Sequence, residues 1–187
     1  MDSSGSYLTV NSHSHPDLFW ALRGGGGGTY GIVTSVTYRT YPIVPLTGIF
    51  LTANTKSNNT LRMLLSEFVR IQPSLSDANF SGQAVLSPNS FELFYLAHNV
   101  TQTEANKTID PFFEFAKNLT SEGLNVSLAL TVPFPSIYEW FTPRYPATAL
   151  GGDNSELASR LISRNTIEHN SQGIADAIMS IDGGVIW

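Results

Sequence analysis

The stretch LNVSLALTV, residues 124–132, sets an apolar side chain at every second position: Leu124, Val126, Leu128, Leu130 and Val132. A period of two belongs to a half-buried β-strand. What precedes it decides how that strand is used. Residues 103–121 carry Ile109, Phe112, Phe113, Ala116 and Leu119 at helical spacing, so they predict a helix with those residues inward. Pro111 either kinks that helix or marks its start after Asp110.

Further back, residues 79–86 and 91–98 read as two strands joined by the turn-rich SPNS. Residues 58–71 read as a helix with Leu61, Leu64 or Leu65, Phe68 and Ile71 along one face, and residues 46–53 as a strand. The order is β-α-β-β-α-β, that of a split βαβ, ferredoxin-like unit. An α+β fold follows, an antiparallel sheet with helices on one face.

After residue 133 the pattern blurs. PFPSIYEWFTPRYPATALGGDNS mixes aromatics with four prolines, an irregular excursion of the kind that lines pockets. ELASRLISRNTIEHN reads as the start of a further strand, residues 171–181 as a helix, and GGVIW as a strand barely begun. The chain is therefore expected to be cut from a longer one.

Composition limits the partners. The 187 residues carry a net charge of −5 with no basic run, which argues against nucleic acid and anionic membrane surfaces. Charged residues make up 13%, about half the usual ~25%, while hydrophobic residues at 42% suit a packed core. No apolar stretch approaches the ~18–20 residues of a membrane span. MDSSGSYLTVNSHSH lacks the basic and apolar regions of a signal peptide. Cysteine is absent, and the four histidines show no metal-ligand spacing. Yet six N-x-S/T sequons occur, at Asn58, Asn79, Asn99, Asn106, Asn118 and Asn125, where composition alone supplies roughly two or three. They point to a glycosylated protein of the secretory pathway.

The N-terminal part reads differently. Residues 6–11 alternate as a short strand. Ser14 or His15 is placed to cap a helix that begins near Pro16 and runs through Leu18–Leu22, with Gly24 at its C-terminal end. Ile32–Tyr41 is dense in β-branched and aromatic residues and predicts a strand. YPIVP marks a boundary, giving domains 1–42 and 43–187.

Between helix and strand stand five consecutive glycines, Gly24–Gly28. Gly26, Gly28 and Gly31 satisfy G-x-G-x-x-G, but that motif must follow a strand and open a helix, and here the order is reversed. No lysine follows, so the loop is not of the Walker type. What remains is a loop whose successive N–H groups, free of Cβ atoms, can donate to phosphate or carbonyl oxygens at close range. A plain turn or packing role stays open beside that.

PDLFWALRGGGGGTYGIVTSVTYRTYP, residues 16–42, resembles the segment that closes the FAD-binding domain in flavin-linked oxidases of the vanillyl-alcohol-oxidase/PCMH superfamily. The similarity is greatest to the berberine-bridge-enzyme-like branch and its fungal isoamyl alcohol oxidases. The resemblance implies that Gly25, Gly26, Gly27, Gly28, Gly31 and Ile32 border an FAD, while Leu18, Trp20 and Leu22 pack the helix. From about residue 43 the chain resembles the start of that family's substrate-binding domain, a large antiparallel sheet over the flavin ring with helices behind it. SRLISR, Ser159–Arg164, fits the same branch.

The activity so implied is oxidation of a small alcohol, sugar or amine-type substrate by hydride transfer to flavin, with O2 as acceptor. None of His13, His15, His98 or His169 stands in the family's flavin-attaching context. The resemblance therefore implies an internal part of a roughly threefold-larger secreted oxidase, inactive by itself. On the 91–98 strand, Glu92, Phe94, Leu96 and His98 share one face, and Phe91, Leu93, Tyr95 and Ala97 the other; one face should look to the flavin. Tyr95 and His98 are pocket candidates, though no catalytic residue is assigned. Arg144, Arg160 and Arg164 are expected to pair with carboxylates. The alternative is a non-catalytic secreted glycoprotein module that has lost its flavin.

Overall fold

The computed structural model describes residues 1–144, 158–181 and 185–187. They divide into two units, Met1–Pro42 and Ile43–Trp187.

In the first unit, helix α1 spans Pro16–Leu22, with proline in its first turn, where a missing N–H costs nothing. Neither Ser14 nor His15 caps it through a side chain. His15 instead turns the chain in a left-handed conformation (φ 52°), and the helix ends at Arg23 with Gly24 next after it, as expected. The Asn11 carboxamide oxygen accepts the His13 and Ser14 N–H groups at 2.8 Å, closing the turn before the helix.

The strands expected over 6–11 and 32–41 do not form. Among the described residues neither segment has a ladder partner, apart from one reciprocal pair between Met1 and Ile32. High β-propensity gives extended backbone, but a strand needs a neighbour to pair with. Tyr38 and Tyr41 consequently stand exposed.

The second unit contains β1 (Leu46–Asn54), α2 (Asn58–Asp77), β2 (Phe80–Ser87), β3 (Ser90–His98), α3 (Gln102–Asn118) and β4 (Asn125–Phe134). Short helices α4 (Ile137–Phe141), α5 (Arg164–His169) and α6 (Ser171–Met179) follow, then β5 (Val185–Ile186). The sheet is antiparallel in the order β4-β1-β3-β2-β5, so the α+β reading and the ferredoxin-like order hold.

Helix α2 starts where the Ser57 hydroxyl accepts the Thr60 N–H. It runs six residues beyond the expected end and straight through Pro73. Helix α3 opens on a capping box, Thr101 with Glu104, and likewise passes through Pro111 instead of starting there. A proline inside a helix costs roughly 3 kcal/mol. In both helices, residues buried on either side of the proline hold the flanking turns to the sheet.

Phe68 of α2 is fully buried, and its ring meets those of Phe91, Tyr95, Phe112 and Trp187 at centroid distances of 5.1–6.3 Å. Both Leu64 and Leu65 are buried, because α6 covers α2 with Ile174, Ala175 and Ile178. Ion pairs from Arg62 to Asp176 and from Arg164 to Asp77 and Glu168 tie α6 and α5 to α2 and brace α5 itself. Arg164 thus meets its expected carboxylates, and each pair is exposed and of small energetic weight. Of the further strand expected over 156–170, residues 158–163 form no regular element and Arg164–His169 form α5; residues 156 and 157 lie outside the described residues.

Strand β4 departs from simple alternation. Leu128 faces Thr52 but Val126 faces Ala53, so Ser127 is an extra residue, a β-bulge whose hydroxyl donates to the Thr52 carbonyl at 3.2 Å. Val126 packs against the helix-side core. Leu128, Leu130 and Val132 are turned to the opposite side of the sheet.

Candidate functional site

The sheet has a helix-covered face and an open one. Register places Leu130, Phe50, Phe94 and Gln83 in one row across the open face, with Val132, Gly48 and Leu96 beside it. This face holds a cleft of about 620 Å³, bounded at one end by Trp140 of α4 and by Arg144. Phe50 and Phe94 meet edge to face at 6.5 Å. A side chain at Gly48 would strike the Phe50 and Phe134 rings, so the glycine allows those rings to close over the strand.

The Arg144 guanidinium lies over three rings, 4.9 Å from Phe50, 5.2 Å from Phe134 and 5.4 Å from Trp140. It donates to the Trp140 carbonyl at 2.7 Å. Among the described residues no carboxylate meets it; aromatic faces do, and they attract the cation through their quadrupoles. Among the described liners, Arg144 is the one charged side chain and Gln83 the other long polar one. The cleft can therefore hold a flat apolar group and present one positive charge to it, but its described lining supplies no proton acceptor.

Tyr95 is not a pocket residue. It lies on the helix side with Phe91, Leu93 and Ala97, and its hydroxyl donates to the Gln72 carboxamide oxygen at 2.8 Å. Burial pushes its phenol up from 10.0 to about 12, against a smaller opposing effect of the Gln72 hydrogen bond. The folded chain holds this proton more tightly than the unfolded one. The associated stability is therefore full below pH ~10 and lost as pH rises through ~12. In an alkaline ultraviolet titration one tyrosine should ionise late, and Tyr95→Phe should remove that step. His98 does lie on the open face, level with Leu46 at the strand's end, but it does not line the cleft.

The glycine loop belongs to the first unit. Gly26 and Gly28 have positive φ (94° and 76°), whereas Gly25 and Gly27 lie outside that region. Such alternation turns successive N–H groups to one side. Among the described residues no acceptor receives the Gly26, Gly27 or Gly28 N–H. Gly25 is needed for another reason: a Cβ there would meet the Tyr30 ring and the Ala21 carbonyl. One at Gly31 would approach the Met1 carbonyl, and Ile32 exchanges both backbone hydrogen bonds with Met1. At Gly27 a side chain would meet nothing within 4 Å. Nothing inside the unit requires glycine there.

Sequence reasoning expected one face of the 91–98 strand to line the site without choosing between the two, although the sequence carries a further signal for a covered open face. Ile49-Phe50-Leu51 and Leu93 to Leu96 are apolar on both faces of their strands, the pattern of strands covered on both sides.

No protein-family model matches the chain. It is 33% identical over 181 residues to an uncharacterized FAD-linked oxidoreductase of Arthroderma benhamiae, covering 89% of this chain and 30% of the relative. It is 32% identical over 192 residues to the FAD-linked oxidoreductase patO of Aspergillus clavatus, covering all of this chain and 33% of the relative. Two crystal structures of VAO-type flavoproteins from Myceliophthora thermophila match its fold. MtVAO713 does so with a TM-score of 0.67 at 21% identity and MtVAO615 with 0.63 at 22%, each over 96% of this chain and 34% of the other. In sequence the chain is thus similar to FAD-linked oxidoreductases, and it shares its fold with the VAO-type flavoproteins. It spans about a third of the length of the relatives it matches.

Proposed function

We propose that the chain is the part of an FAD-dependent oxidoreductase that supplies one border of the cofactor site and the wall over the substrate. The observation that carries this is the glycine loop, with three unclaimed N–H donors and a glycine at 27 that its own fold does not need. On this reading Gly25, Gly26, Gly27, Gly28, Gly31 and Ile32 form the cofactor border in a domain ending near residue 42. Residues 43–187 belong to the substrate domain, with the open face as its substrate-binding surface. A bound flavin would supply the hydride acceptor for the substrate carbon and the route of its electrons to O2. The chain's own residues exclude water from the apolar face and orient the substrate on it. The substrate is a small alcohol, sugar or amine-type compound.

The whole protein is secreted and carries N-glycans. Asn58, Asn79, Asn99, Asn118 and Asn125 are exposed. Asn106 is half-buried, and its carboxamide oxygen accepts the Thr131 hydroxyl at 2.6 Å, which opposes modification there.

The test is the native protein purified from its source, with its visible spectrum and its mass before and after enzymatic deglycosylation. Flavin absorption bleached by an oxidisable substrate without oxygen, and restored by air, is the expected result. A protein without flavin overturns the reading, and an unchanged mass overturns the glycan assignment.

A further inference from the structure

Arg144 is the feature of the cleft that apolar packing does not require. Alkyl and aromatic side chains would cover Phe50 and Phe134 as well. A guanidinium cannot lose its charge, and it has five N–H donors. One is spent on the Trp140 carbonyl, and among the described residues no carboxylate pairs with the group. The three rings fix the plane of the fork while leaving the residue exposed toward the cleft. A planar cation held in place, open on one side and bordered by Phe50, Leu130 and Val132, is complementary to a planar anion on an apolar body.

We infer that the substrate or product bound on the open face carries a carboxylate, and that Arg144 receives it. This rests on the proposal that the open face is the substrate wall, and it narrows the substrate from any small oxidisable compound to an apolar acid. Arginine suits the task better than lysine, because the carboxylate can take two parallel N–H donors from the ring-held fork.

Three probes share a body and differ in charge: trans-cinnamate, cinnamamide and cinnamyl alcohol. Their affinities are to be measured by calorimetry at low salt on the protein as its own gene encodes it. Cinnamate should bind at least ~10-fold more tightly than either neutral probe, the scale of a charge-assisted pair. Arg144→Gln should abolish the preference, so that cinnamate and cinnamamide bind that variant equally, with its circular dichroism spectrum unchanged. Arg144→Lys should fall between, since it keeps charge but loses the fork. Raising salt should erode only the cinnamate preference.

Equal affinity for the three probes, no binding of any of them, or an Arg144→Gln variant that still prefers cinnamate would overturn the inference and leave Arg144 as a clamp for α4. Flavin content is read separately from the spectrum. A flavin-free protein that still prefers cinnamate would refute the cofactor reading and keep this one.

Discussion

Replacing Phe68 by alanine should cost about 3–5 kcal/mol, the range for a large aromatic removed from a closed core. The ring is where α2, the central strand β3, α3 and the last residue, Trp187, converge. No neighbour can fill the space without leaving its own contacts, because Phe91 and Phe112 also pack on one another. Chemical denaturation monitored by far-ultraviolet circular dichroism gives the number. A loss below ~1 kcal/mol would show that the helices are not held to the sheet through this ring. Phe68→Leu, which keeps much of the volume, should recover most of the loss.

The second large effect separates binding from folding within one loop. Gly27→Ala adds a methyl to open space, so the apoprotein should melt within ~0.5 kcal/mol of the parent. On the proposed cofactor border, the same methyl would stand in the way of the cofactor's oxygens, and the flavin content of the flavin-containing protein should fall at least tenfold. Gly25→Ala should do the reverse in order of cause. Its methyl meets the Tyr30 ring and the Ala21 carbonyl, costing about 1–3 kcal/mol of local structure before any ligand is involved. The comparison belongs on apoproteins, since bound flavin adds its own stabilisation. A Gly27→Ala protein that keeps its full flavin content would remove Gly27 from the cofactor border.

The elements legible in the sequence were those whose period is reinforced by burial. Helices α2 and α3 show a full apolar face, and the turn between β2 and β3 is marked by Pro88 and Asn89. Those signals are local. Where they failed, the deciding partner was remote or lacking. Ile32–Tyr41 has the side chains of a strand, yet pairing is a property of two segments. The prolines at 73 and 111 argue against helix, but packing against the sheet outweighs them. Arg144 was assigned to a carboxylate because charge is visible in a sequence. The rings that hold it come from residues as distant as Phe50, brought together only by the β4-β1 pairing.

Ser127 has a consequence for how this surface can change. Val126 pairs with Ala53 and Leu128 with Thr52, so the supernumerary residue lets two side chains two positions apart look to opposite sides of the sheet. Deleting Ser127 would regularise the strand and leave Leu128, Leu130 and Val132 on the cleft. A single codon lost at the bulge thus spares the greasy wall, while substitutions alter it one side chain at a time. Variation in the character of this wall among relatives is therefore best sought in the composition of the β4 segment before its length.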